Sequence, residues 1–333
     1  MTARTRLSEI YRQMTLPVIA APMFLVSGPD LVLASCRGGV IGSFPFPNSR
    51  SIELLDEWLG RINAELAADR AAGRIVAPWA ANMVTHRSYD RLDAELELVA
   101  RHQPPIVITA LGGPGPVIPT VHSYGGLVFA DVNSVPYAKK AAEAGADGLV
   151  LVSSGAGGHT GQMSPFAFVT AVREFFNGII VLAGSVATGQ AVRASEMLGA
   201  DFAYVGTPFI ASSESLANDE YRQMLIDASF EDLVLSNKLT GAYAYYLKAS
   251  LEKMGLDPAN PGAGSAINFG GAQTQIKAWK DVWSAGHGVG SVRDIAPAAA
   301  LIARLKAEYD RADASHPFLD AKGSRTCAPQ SAM

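Results

Sequence analysis

Among the six histidines of the chain, one stands in a setting suited to chemistry. His159 lies inside Ser153-Ser154-Gly155-Ala156-Gly157-Gly158-His159-Thr160-Gly161, where four glycines let backbone approach a ligand and one imidazole can take or give a proton. His86, His102, His122, His287 and His316 have no comparable surroundings, although His86 and His287 could lie near the same face. Two further segments read as anion turns. Ala183-Gly184-Ser185-Val186-Ala187-Thr188-Gly189 and Gly206-Thr207-Pro208-Phe209 each set a glycine and a hydroxyl residue between an apolar run and a helix start. Backbone N–H groups at such a place converge on a negative group. Carboxylates are scarce in these loops, Asp131 being the main one. That argues against a two-carboxylate hydrolase and against a divalent-metal site.

A scaffold must carry those segments, and the rest of the chain describes one. Short, near-continuous apolar runs recur at Val18–Ala21, Gly39–Ser43, Ile75–Trp79, Ile106–Ala110, Leu127–Ala130, Gly148–Val152, Ile179–Leu182 and Ala203–Val205. Continuous rather than alternating apolar character marks strands buried on both faces of a parallel sheet. Helical faces fall between them, as in Leu54, Leu55, Trp58, Leu59, Ile62 and Leu66, or Phe166, Val169, Val172 and Phe176. Gly145 with Asp147, and Gly199 with Asp201, repeat one helix-to-strand junction, although unrelated αβ loops can converge on the same chemistry. Eight such units over about 200 residues predict a (β/α)8 TIM barrel of the α/β class rather than an open sheet.

The loops after barrel strands form the active face, and phosphate sites favour the turns after the seventh and eighth strands. Those are the positions of Gly184-Ser185 and Gly206-Thr207. After the first strand, Ala21-Pro22-Met23 presents either a stiff main-chain edge for a flat ligand or a plain strand terminator. After the third, Asn82 offers a donor and an acceptor to an amide or pyrimidine edge, or serves as a turn residue. Residues 1–212 and 276–312 are expected to form the barrel. Residues 213–275, with helical stretches Ser215–Ser229 and Ala242–Met254, are expected as a mostly helical inserted subdomain covering the active site. Val292–Asp310 is expected as the last barrel helix and 313–333 as a polar C-terminal tail.

Composition narrows the partners. The 333 residues are 49% hydrophobic, enough for a large core, and carry a net charge of -4 with no Lys/Arg-rich run. Nucleic acid and anionic membrane are therefore not expected partners. Cys36 and Cys327 form no metal-ligand spacing, no apolar run reaches the roughly 18–20 residues of a membrane span, and no signal peptide is recognisable. A cytoplasmic protein is expected. GxxxxGK[ST], HExxH, GxSxG and paired CxxC are absent, and the glycine spacing from Gly155 only approaches a dinucleotide fingerprint.

In this order the residues resemble the nitronate monooxygenase family, FMN-dependent barrels related to FabK-type enoyl-ACP reductases. The resemblance spans roughly residues 15–310 and is carried by Ala21-Pro22-Met23, Gly38-Gly39, Asn82, Gly157-Gly158-His159-Thr160-Gly161, Ala183-Gly184-Ser185, Gly206-Thr207 and Trp283-Ser284-Ala285-Gly286. It implies FMN as cofactor. Gly184, Ser185, Gly206 and Thr207 would hold its phosphate, and main chain around Ala21, Pro22 and Met23 would face the isoalloxazine. Asn82 would contact the ring system, with Asp131, Gly157 and Gly158 counted among the cofactor contacts. His159 would be the catalytic residue, stabilising a bound nitronate or taking a proton from a neutral nitroalkane. The substrates would be a small nitronate or similar anion and O2, and a homodimer is a candidate assembly. The chain departs from the family at Ser154-Gly155-Ala156, where many members have a Glu just before AGGH. It departs also at Ser185 in place of Gly, His287 in place of Gln, and the first loop Phe24-Leu25-Val26-Ser27. Two other readings stay open: an NAD(P)H-dependent flavin reductase of quinones or enoyl thioesters, and a non-catalytic barrel binding a phosphate ligand.

Overall fold

A computed structural model describes residues 3–261 and 282–312. The expected tail at 313–333, residues 262–275 of the expected insertion, and residues 276–281 lie outside the described residues, as do His316 and Cys327. The strands are β1 (Val18–Ala20), β2 (Gly42–Pro45), β3 (Trp79–Val84), β4 (Ile106–Ala110), β5 (Leu127–Val132), β6 (Gly148–Val152), β7 (Gly158–His159), β8 (Ile179–Ala183), β9 (Phe202–Val205), β10 (Leu233–Ser236) and β11 (Ala244–Leu247). Between and around them run helices α1 (Ala3–Tyr11), α2 (Pro29–Arg37), α3 (Ile52–Ala71), α4 (Leu92–His102), α5 (Ile118–Ser123), α6 (Val135–Glu143), α7 (Pro165–Arg173), α8 (Gly189–Leu198), α9 (Thr207–Ile210), α10 (Asp219–Asp227), α11 (Lys248–Lys253) and α12 (Ala298–Ala312).

Eight strands form one parallel sheet in the order β1-β9-β8-β6-β5-β4-β3-β2, and a parallel bridge from Ile19 to Ile41 brings its two ends together. The expected TIM barrel is thus the observed fold, with helices flanking the sheet. Each strand is apolar on both faces because each face meets a different core. Ile19, Ala80, Ile108, Phe129, Val150, Val181 and Phe202 pack inside the barrel. Their neighbours Val18, Ala81, Val107, Val128, Leu151, Ile180 and Ala203 pack outward against helices. Helix α3 shows how a helix joins this layer. The Ser51 hydroxyl accepts from Leu54 N–H at its start, and Leu55, Leu59, Ile62 and Leu66 form the buried stripe. Full burial of each such side chain contributes about 2 kcal/mol. Helix α1 closes the N-terminal end of the barrel: Leu7 and Ile10 enter the interior core, and Arg4 binds Asp201 at 2.5 Å.

Four expected elements move. The third strand is Trp79–Val84, not Ile75–Trp79, and Ile75 is 74% exposed. A polar Asn82 inside an otherwise apolar run masks this strand in the sequence. The second strand is likewise shifted, from Gly39–Ser43 to Gly42–Pro45, since Gly39 takes a left-handed turn (φ +84°) after α2. The stretch Ala242–Met254 is not one helix. Ala244–Leu247 is a strand with Ala244 and Tyr246 buried in alternation, and only Lys248–Lys253 is helical. The last helix starts at Ala298 rather than Val292, just past Pro297. No helix among the described residues is long and apolar enough to cross a membrane.

Candidate active site

The loop after β6 does not hang free over the barrel. Its residues Gly158 and His159 form β7, which pairs antiparallel with β11 in a three-stranded sheet, His159 opposite Ala244 and Gly158 opposite Tyr245. Thr160 N–H donates to the Tyr243 carbonyl at 2.9 Å, and the Thr160 hydroxyl reaches back to the Ser153 carbonyl at 3.1 Å. The backbone that carries the imidazole is therefore held from both sides, by the end of β6 and by the β10–β11 hairpin. Burial lowers its pKa below the ordinary histidine value, which favours the uncharged ring. The glycines around it have unequal reasons. A side chain at Gly157 would meet the Gly286 nitrogen at 2.8 Å, so that glycine admits a neighbouring segment. Gly158, in a left-handed turn (φ +67°), has open space beside it, next to the histidine.

The two anion turns meet. Gly184 (φ +107°) and Ser185 (φ +60°) make a left-handed turn after β8. The Ser185 N–H donates to the Gly155 carbonyl at 3.3 Å, and its hydroxyl to the Ser154 carbonyl at 3.2 Å. After β9, Thr207 accepts on its hydroxyl from Gly286 N–H at 2.9 Å. The next residue, His287, donates its backbone N–H to the Gly155 carbonyl at 3.0 Å and brings Nδ1 to 3.5 Å from the Ser185 hydroxyl. Residues 285–287 thereby join the turns after β6, β8 and β9 into one surface. The His287 ring is packed edge-on by Phe230 and Tyr245, with centroid distances of 4.8 and 4.7 Å. The expected helix start falls at the end of this segment. Helix α8 starts at Gly189, whose N–H is taken by Glu308, while the Thr188 hydroxyl caps Ala191.

The barrel throat carries the remaining residues. Asn82 lies within β3 rather than in the loop after it. It alternates with outward-facing Ala81 and Met83, is buried, and donates to the Ile108 carbonyl at 3.2 Å. Asp131 alternates with Val128 and Ala130 on β5 and so points inward with Phe129. Its Oδ1 is withdrawn from solvent and has no hydrogen-bond partner among the described residues. Burial pushes the Asp131 carboxyl up to about 7. Tyr204 on β9 also faces inward; its hydroxyl is equally unpartnered, and burial together with the Asp131 charge raises its pKa. Ala21, Pro22 and Met23 sit half-buried at the end of β1. A methyl group on Gly206 would lie 3.5 Å from Ala21 and 3.6 Å from the Met23 sulfur, so the first turn borders the eighth. Local sequence pattern does not single out Tyr204, Phe230 or Tyr245. Tyr204 is a plain strand residue by pattern, and the two others reach His287 only through the chain fold.

A family model described as "Nitronate monooxygenase" matches residues 60–308. A nitronate monooxygenase of Paraburkholderia phytofirmans is 25% identical over 88% of this chain and 92% of its own length. The solved structure of nitroalkane oxidase from Streptomyces ansochromogenes superposes with a TM-score of 0.75 at 24% identity, covering 93% of this chain and 99% of that one. FabK of Thermotoga maritima superposes with a TM-score of 0.73 at 21% identity, over 92% and 96%. Both structural likenesses bear on the fold.

Proposed function

The chain belongs to the nitronate monooxygenase family of oxidoreductases, and from that premise we propose that it binds FMN at the barrel mouth and oxidises alkyl nitronates with dioxygen. One observation carries the reading: the Gly184-Ser185 and Gly206-Thr207 turns are tied together by residues 285–287, beside the loop that holds His159. The residues suit the cofactor. The Gly184 N–H, with the N–H and hydroxyl of Thr207, can hold a phosphate, while Ser185 braces the turn through its bonds to Gly155 and Ser154. The unpartnered Asp131 and Tyr204 atoms in the throat can serve the polar edge of a ring, as Asn82 can. Ala21, Pro22 and Met23 offer main chain to the ring face, and Gly157 and Gly158 line the loop beside it. When bound, the flavin accepts electrons from the substrate and returns them to dioxygen.

His159 does the protein's share at the substrate. In its neutral form the imidazole can donate from its protonated nitrogen to a nitronate oxygen, and its other nitrogen can take the acidic carbon-bound proton of a nitroalkane. The β10–β11 hairpin, paired to the histidine strand, shapes the substrate side. The test is the visible spectrum of the purified protein, then oxygen consumption with propionate 3-nitronate under air. A flavin spectrum and turnover are expected. A protein that stays colourless with added FMN would sink the reading, and fast anaerobic bleaching by NADH would move it to a reductase of quinones or enoyl thioesters.

A further inference from the structure

The first turn of the barrel face, Ala21 to Ser27, is irregular, and its main chain is the part proposed to face the flavin. Irregular backbone at a buried site needs partners for its N–H and C=O groups. Here two side chains supply them. Asn48, in the short 3-10 turn Phe46–Asn48 after β2, is 7% exposed. Its Oδ1 accepts from Leu25 N–H at 2.8 Å, at a residue with left-handed backbone (φ +59°). Its Nδ2 donates to the Met23 carbonyl at 2.9 Å and to the Ser27 carbonyl at 2.7 Å. The Ser27 hydroxyl then accepts from Met23 N–H at 3.0 Å. The carboxamide thus uses its acceptor and both donors on the turn after β1, reaching it from the turn after β2. Leucine does not favour positive φ, so the turn is held from outside rather than by its own residues.

We propose that Asn48 is a positioning residue for the cofactor: it fixes the Met23–Ser27 backbone against the place where the flavin ring sits, without touching the ring. This rests on the FMN reading above. An acid at this position would keep the acceptor for Leu25 but turn an ionised oxygen toward two carbonyls. Alanine would leave the Leu25 N–H and two carbonyl interactions unmade.

The experiment titrates FMN into full-length wild type, Asn48→Ala and Asn48→Asp, following flavin fluorescence and the bound-flavin absorption spectrum, with thermal melting of each protein beforehand. Both variants are expected to weaken FMN binding roughly ten- to hundredfold and to shift the visible bands, since the ring loses its fixed neighbour. Asn48→Asp should also recover affinity relative to wild type on going from about pH 8 to about pH 5, because burial against the Met23 and Ser27 carbonyls raises the acid's pKa and the protonated acid regains a donor. A role limited to packing would give no such recovery. Variants that bind FMN with wild-type affinity and an unchanged spectrum would overturn the assignment alone. Wild-type protein that binds no FMN would overturn the flavin reading and this assignment together. Should Asn48→Ala not melt cooperatively, the pH dependence of Asn48→Asp decides, and its absence counts against the proposal.

Discussion

Around β6, β8 and β9 the polar groups of the barrel mouth bind one another. The Gly155 carbonyl takes N–H groups from Ser185 and His287, the Thr207 hydroxyl takes Gly286 N–H, and the Ser153 hydroxyl donates to the Ala183 carbonyl at 2.5 Å. Around β5 and across to Tyr204 the opposite holds: Asp131 Oδ1 and the Tyr204 hydroxyl are withdrawn from water without a partner among the described residues. A satisfied network is stiff and sets geometry, whereas an unsatisfied buried group costs stability until something binds it. On the proposed reading the linked turns set cofactor affinity, and the throat responds to what occupies it. His159 lies between them, on a strand pinned by the hairpin.

The contrast can be tested at both ends. Replacing His159 by Asn should lower kcat/KM with a nitronate by about a hundredfold to ten-thousandfold while FMN stays bound, read by steady-state kinetics and the flavin spectrum. Near-native turnover would remove His159 from the chemistry. Gly184→Ala should act the other way. Its methyl group would meet the Ser153 hydroxyl at 2.5 Å at a φ of +107°, so FMN affinity should fall by about tenfold or more, with kcat near wild type once the cofactor is saturating. A variant that binds FMN normally but turns over slowly would reverse the proposed division.

Asp131→Asn examines the throat through pH. In the unfolded chain an aspartate titrates near 3.9, and in the fold Asp131 titrates at about 7. A raised acid pKa means the folded state holds the proton longer. Wild-type stability should therefore decline as pH rises from about 4 to about 7 and level off above. The variant should lack that decline and gain on the order of 2 kcal/mol over wild type near pH 8, after allowing for water at the mouth, in melts of FMN-free protein. Equal pH dependence in the two proteins would mean Asp131 is solvated. The smallest effect is expected for Ser185→Gly. Relief of the left-handed serine and loss of its bond to the Ser154 carbonyl oppose each other, so melting should change by less than about 1 kcal/mol.

How much of this could be read from the chain depends on the range of each interaction. Strands at Ile106–Ala110 and Gly148–Val152 stand where their apolar runs do, because burial on both faces leaves a local record. The turns at Gly184 and Gly206 are legible for a similar reason: a chain reversal at a strand end selects its own residues. Asn82 shows the limit. Its polarity reads as a loop, but it is an inward strand position, where a polar side chain is explained only by what the barrel encloses.

By itself the sequence determined the strand-helix rhythm, the barrel class and the glycine-hydroxyl turns, since each depends on residues a few positions apart. Tertiary structure alone decided that Gly286, 79 residues from Thr207, bridges the anion turns. It also decided that Asn48 holds a turn more than twenty residues earlier in the chain, that His159 is strand-paired to Ala244, and that the Asp131 carboxyl lies close enough to act on the Tyr204 hydroxyl. Hydrogen bonds and buried charges act through space over a few ångströms, and only barrel closure brings these distant positions within that reach.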